Sequence, residues 1–255
     1  MGMPLAGPAV WIAGALLCAG ASGQPPCDKH LDQGDSAYAR WDNGEALRWF
    51  AAAVDQCPAR YEPLMKMTRA LIDLGEDKTA GESAGLYEKA LQAADTLQRR
   101  FPDSVQSYFL KATAAGNLAL LQSGGRKLAL GRIAEQNAKR SIELSPSFAP
   151  AYIVLGSFYR EVAAAGVWER IVARLFWGGM PGGALGDAAN ALQKALALSP
   201  CNVYGLLELA RTEIALDSAA TARRLLQEMQ NCPPVWHLDN RLKDEGRRLL
   251  DSLRR

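Results

Sequence analysis

Five prolines, Pro58, Pro102, Pro146, Pro200 and Pro234, each close an apolar, helix-like stretch, and an alanine stands twelve residues before every one of them. The alanines are Ala46, Ala90, Ala134, Ala188 and Ala222, although the prolines are spaced 44, 44, 54 and 34 residues apart. A constant small residue within a variable spacing marks a helix whose close-packed point and end are both set by the proline that cannot continue it. Eight residues before the prolines stand Phe50, Ala94, Ala138, Leu192 and Leu226; five before them stand Ala53, Leu97, Ser141, Ala195 and Met229. These positions extend one face of a 3.6-residue helix. A single unit of this kind cannot bury its apolar stripe alone, so the chain must stack its units into one continuous core.

Counting forward from the preceding prolines places a partner helix in every unit. Gly34, Thr68, Ala112, Gly156 and Ala210 take one small or slender position, twelve, twenty-two, twenty-two, thirty-two and twelve residues before the alanines. Small residues let two helices cross closely. The fourth unit carries Tyr152, Leu155, Gly156 and Tyr159, then Ala188, Leu192, Ala195 and Pro200; the first carries Gly34, Ala46, Phe50, Ala53 and Pro58. This phase resembles the tetratricopeptide repeat, a 34-residue helix-turn-helix unit. The resemblance implies an all-α superhelix of about five hairpins, over residues 27–58, 61–102, 105–146, 149–200 and 203–234. Units two to four carry 10, 10 and 20 extra residues, which predicts longer helices or excursions on one edge. Leu238, Leu242, Leu249 and Leu250 in an otherwise polar stretch predict a capping helix over 238–254, and no strand-like alternation appears.

Residues 9–21 form a continuous apolar or small run, followed by Ser22 and Gly23. That run is shorter than the roughly 20 residues of a spanning helix and precedes small residues suited to a signal peptidase. Residues 1–23 therefore read as a secretory signal, with a mature repeat domain over 24–255 that is periplasmic or secreted. No Lys or Arg precedes the run, which leaves an uncleaved anchor open. Past the signal stand Cys27, Cys57, Cys201 and Cys232, an even number in an export context. Cys27 begins the first helix of unit one and Cys57 ends its second; Cys201 and Cys232 hold the equivalent places in unit five. The start of one helix of an antiparallel hairpin lies beside the end of the next, so the expected disulfides are Cys27–Cys57 and Cys201–Cys232. The alternative is four unlinked thiols.

The remaining composition narrows the chemistry. Of 255 residues, 49% are hydrophobic and 22% charged, an ordinary globular balance, and 29 Lys and Arg against 27 Asp and Glu give a net charge of +2. No clustered basic surplus suggests nucleic acid as a partner. His30 and His237 have no second ligand at metal spacing and no triad-like grouping beside them, so neither a metal, a cofactor nor a catalytic residue is expected. The glycine-rich stretches 178–186 and 124–127 lack the spacing, the preceding strand and the Lys-Ser/Thr of a phosphate cradle. These readings exclude most enzyme classes.

The extra segment of unit four, residues 163–183, sets Trp168, Ile171, Val172, Leu175 and Phe176 at amphipathic helical spacing, with Trp177 leading into a glycine-rich return. It either packs on the stack itself or touches a partner or membrane. Trp168, Glu169, Arg170, Ala173, Leu175, Phe176 and Pro181, with Leu155 and Gly156 upstream and Leu192, Lys194, Ala195 and Pro200 downstream, resemble the regulator of microtubule dynamics family. The likeness implies a shared fold more than a shared task, because a secretory signal and paired cysteines depart from a cytoplasmic cytoskeletal role. Leu155, Gly156, Tyr159, Gly178 and Gly179 are also similar to the periplasmic T-component of tripartite solute transporters.

In the repeat's register the inner face includes Tyr38, Arg69, Phe109, Arg160, Tyr204 and Arg211. Aromatic anchors and guanidinium groups suit an extended peptide or partner helix bearing a carboxylate. The leading expectation is a non-catalytic scaffold that binds a protein or peptide there, the arginines being either free for the partner or paired internally. A second expectation is a ligand-binding accessory component of a solute transport system, with Tyr152, Tyr159, Trp168, Phe176 and Trp177 lining a pocket and Arg160 holding an anionic group.

Overall fold

The computed structural model describes residues 26–165 and 183–253. Over them the chain forms eleven α-helices and no strand. Five hairpins pair α1 (Pro26–Ala39) with α2 (Asn43–Gln56), α3 (Tyr61–Glu76) with α4 (Ala80–Arg100), α5 (Val105–Leu120) with α6 (Gly124–Leu144), α7 (Ala149–Ala164) with α8 (Leu185–Leu198), and α9 (Val203–Ala215) with α10 (Ala219–Asn231). The helix α11 (Asp239–Ser252) follows as a cap. The all-α superhelix expected from the proline phase is the fold observed.

All five phased alanines are fully buried, at 0% exposure. The ten residues four and seven positions further on are at most 2% exposed. Each large apolar side chain among them, such as Phe50, Leu192 or Leu226, contributes about 1.5–3 kcal/mol by leaving water. In units one and four the glycine of the first helix faces the bulky residue of the second. A Cβ at Gly34 would lie 2.3 Å from the Phe50 ring, and one at Gly156 would lie 2.6 Å from Leu192 Cγ. Glycine at these two places lets the helices of a hairpin close on a large side chain.

The proline turns repeat as well. The backbone N–H of Cys57, Phe101, Ser145 and Ser199 donates to the carbonyl four residues back and completes each helix. Two residues after each of the first four prolines, Arg60, Ser104, Phe148 and Asn202 donate their backbone N–H to the carbonyl of the residue before it. Proline cannot supply a helical N–H, so α2, α4, α6 and α8 each stop two residues before their proline and the chain re-enters the next unit by one turn, whereas α10 stops at Asn231, three before Pro234. Ser104 and Asn202 then cap the following helix, accepting from the N–H of Ser107 and Gly205.

Units two and three absorb their extra residues as longer helices: α3 and α4 have 16 and 21 residues, and so do α5 and α6, against 14 each in α1 and α2. Most of the unit-four excursion, with Trp168, Phe176 and Trp177, lies outside the described residues. First helices touch one another along the stack, α3 with α5, α5 with α7 and α7 with α9. The cysteines are joined in two pairs, Cys27–Cys57 with Cα atoms 6.0 Å apart and Cys201–Cys232 with Cα atoms 5.3 Å apart. The cap packs Leu238, Leu242 and Leu250 on the last hairpin. Among the described residues no helix is long and apolar enough to cross a membrane.

Candidate functional site

The three inner-face arginines have different surroundings. Arg69 lies over the Tyr38 ring at 4.9 Å, with its Nε 3.8 Å from Asp73 Oδ2, and keeps 54% of its side chain exposed. The Tyr38 hydroxyl donates to Asp73. Burial raises the pKa of the Asp73 carboxyl against the opposing pull of Tyr38 and Arg69, and burial together with Asp73 raises that of the Tyr38 phenol. Arg160 and Arg211 instead converge on Glu208, which is 1% exposed. Arg160 Nε donates to Glu208 Oε2 at 2.9 Å and Nη2 to Glu161 at 2.6 Å, while Arg211 pairs with both Glu208 and Glu245. Of the two sequence alternatives for these arginines, internal pairing holds for Arg160 and Arg211, and Arg69 alone of the three is more than half exposed.

Phe109 packs edge-on against Phe148, centroid to centroid 5.3 Å, at the junction of the third and fourth hairpins. Tyr204 sits 6.2 Å from the Trp236 ring, and its pKa is raised by burial and by Glu208. Tyr38 and Arg69 thus form one group, and Arg160 and Arg211 another. Trp168, Phe176 and Trp177 cannot be placed with either, since they lie outside the described residues.

A cluster that local spacing does not reveal lies where the first helices end. The link between α10 and α11 turns back across the stack, held by Asp239, whose Oδ2 accepts the backbone N–H of Val235 at 2.8 Å and of Trp236 at 2.9 Å. This places His237 against the end of α3. His237 Nδ1 is 3.0 Å from Asp77 Oδ1 and Nε2 is 3.4 Å from Glu76 Oε2. Arg241 donates to the Glu76 carbonyl at 3.4 Å. Asn43 Nδ2 donates to the other Asp77 oxygen at 3.0 Å, and Asn117 Nδ2 to Glu76 Oε1 at 3.1 Å. Burial opposes charge on the His237 ring, but Glu76, Asp73 and Asp77 outweigh it and raise its pKa; burial raises that of Glu76. His237 is 160 residues from Asp77, so the expectation of a histidine without ligand-type neighbours is corrected by a tertiary contact.

Residues 29–254 match the family model for Regulator of microtubule dynamics protein 1-3. The chain belongs to that family. Regulator of microtubule dynamics protein 1 of Bos taurus is 22% identical to it over 244 residues, covering 94% of this chain and 76% of the bovine protein. Among solved structures, a thermophilic TPR protein of Thermus thermophilus superposes with a TM-score of 0.67 at 20% identity, over 88% of this chain and 98% of that one. MamA (residues 41 to the end) of Desulfovibrio magneticus RS-1 gives a TM-score of 0.53 at 18% identity, over 82% and 96% of the two chains. These likenesses establish a tetratricopeptide-type stack for this member of the regulator of microtubule dynamics family. Folds of this kind build extended concave surfaces.

Proposed function

We propose that the protein is an exported, non-catalytic scaffold that binds a carboxylate-bearing peptide or protein segment at the Tyr38 and Arg69 end of its inner face. The observation that carries this reading is the contrast among the arginines. Glu208 and its neighbours hold Arg160 and Arg211 in close ion pairs, whereas Arg69 has a longer 3.8 Å contact with Asp73 and presents a half-exposed guanidinium aligned on an aromatic ring. An aligned guanidinium loses less rotamer freedom when it grips a carboxylate in bidentate fashion. Export is supported by the apolar run at residues 9–21 and by the two cysteine pairs, which suit an oxidising compartment. The relative's name concerns microtubule dynamics, and we leave the partner of this chain at the class of protein or peptide. The solute-transport alternative draws on Tyr152, Tyr159, Trp168, Phe176, Trp177 and Arg160; of these, Trp168, Phe176 and Trp177 lie outside the described residues, and Arg160 is already paired with Glu161 and Glu208.

Affinity capture with the mature protein tests this reading. The scaffold should retain a partner that Arg69→Ala releases, with affinity falling about tenfold or more for the loss of a charge-assisted bond of roughly 1.5–3 kcal/mol. Arg160→Ala should lower the melting temperature and leave the affinity of the folded fraction unchanged. Capture of no partner, alongside turnover of a substrate, would sink the proposal.

A further inference from the structure

Three potential metal-ligating groups meet where the C-terminal link closes on the second hairpin. Asp73, Glu76 and His237 each offer an oxygen or nitrogen, and these three atoms lie within 4.8 Å of one another. They come from segments far apart in the chain. Asp73 and Glu76 are one helical turn apart on α3, and His237 arrives from the link after α10.

Two of the donor atoms are buried and have no hydrogen-bond partner. They are His237 Nε2 and Glu76 Oε2, 3.4 Å apart without hydrogen-bond geometry, and the His237 side chain is only 6% exposed. A buried polar atom without a partner costs about 1–3 kcal/mol, and two aimed at each other call for a third party that both can bind. A proton on Nε2 would join the two atoms in one ion-paired hydrogen bond. A divalent cation would hold both atoms and would also draw in Asp73.

The outer contacts are those of a metal site. A ligating histidine commonly donates its second nitrogen to a carboxylate, which fixes the tautomer and leaves the other nitrogen's lone pair for the metal. Here His237 Nδ1 faces Asp77 Oδ1 at 3.0 Å, and Asp77 is itself held by Asn43. Glu76 Oε1 takes the Asn117 amide, which leaves Oε2 to turn inward. Asp73 is oriented by the Tyr38 hydroxyl. Of the nearby cations, Arg241 is engaged on the Glu76 carbonyl and Arg69 lies on the Tyr38 ring with its Nε 3.8 Å from Asp73 Oδ2, so an ion would share Asp73 with that guanidinium. The C-terminal end of α3 adds the negative pole of a helix dipole.

We infer that Asp73, Glu76 and His237 bind one divalent cation of the zinc class, with Asp77, Asn117 and Tyr38 as their positioning partners, and that the ion clamps the C-terminal link to the second hairpin. One imidazole with two carboxylates suits a borderline ion such as Zn²⁺; calcium and magnesium take oxygen ligands. Bonds of about 2.0–2.2 Å bring tetrahedral donors to roughly 3.4 Å from one another, so the widest pair closes by side-chain rotation as the ion enters. Water completes the fourth position of a three-ligand site.

The test uses the full chain with its disulfides intact, freed of metal by chelation and titrated with Zn²⁺ alone. Calorimetry should give one ion per chain, and the melting temperature should rise with Zn²⁺. Co²⁺ in place of zinc should give visible d–d bands without thiolate charge transfer, because the ligand set is nitrogen and oxygen. His237→Ala and Glu76→Gln should each weaken Zn²⁺ binding at least a hundredfold, Asp77→Asn should weaken it about 10–100-fold through the imidazole it positions, and His30→Gln should leave it unchanged. Zinc binding that is absent from the parent chain, or equal in His237→Ala, would overturn the inference. A thiolate band in the Co²⁺ spectrum would do the same by moving the ion to cysteine. If His237→Ala fails to fold, Glu76→Gln and the Co²⁺ spectrum of the parent protein decide the matter.

Discussion

The slender residue that faces Phe50, Leu192 or their counterparts sets how closely a hairpin can shut, and glycines elsewhere give the matched comparison. Gly34→Ala should destabilise the protein by about 1–3 kcal/mol, because the new methyl would sit 2.3 Å from the Phe50 ring. That loss exceeds the gain of roughly 1 kcal/mol that alanine brings to a helix interior. Gly85 lies in α4 with nothing within 4 Å of where a Cβ would stand, so Gly85→Ala should stabilise by about 0.5–1 kcal/mol. Urea unfolding of both variants gives the two signs. The position of Gly34 could be read from the sequence because it stands twelve residues before Ala46, as Ala210 stands before Ala222. The fate of the inner-face arginines could not, because it depends on Glu208, one turn from Arg211 on α9 and 48 residues from Arg160. A buried carboxylate between two guanidinium groups looks, in one dimension, like any helical glutamate.

The hairpin is the unit that the proline phase describes, and its ends are where a solenoid frays. Each terminal hairpin is tied at its open end, through cysteines 30 and 31 residues apart. Loops of that length contribute roughly 3–4 kcal/mol in the chain-entropy account. Replacing Cys27 and Cys57 together by alanine should therefore speed hydrogen exchange in α1 and α2 far more than in α9 and α10, and the Cys201 and Cys232 pair should show the reverse. Uniform acceleration across all five hairpins would mean that the stack opens as one unit and that the ties have no local role. Helix number and order were legible because proline, alanine and the apolar stripe all repeat. The course of the link after α10 was not, since Val235, Trp236 and His237 belong to no repeat and their path is set by the Asp239 side chain and by the second hairpin.

At the scale of the molecule, the stack does not end at its last hairpin. Its C-terminal link returns to the second hairpin and joins residues 160 positions apart, leaving the Tyr38 and Arg69 face beside the closure. The same contact assembles the Asp73, Glu76 and His237 cluster, so closure and ion binding should be coupled: an ion that binds only the closed form stabilises it by mass action. A double-mutant cycle between Asp77→Ala and His237→Ala measures that closure most directly. Carried out by urea unfolding in excess chelator, the cycle should return a coupling energy of about 1 kcal/mol or more, as contacting residues in one polar network do. Strictly additive losses, with both single variants folded, would contradict the closure.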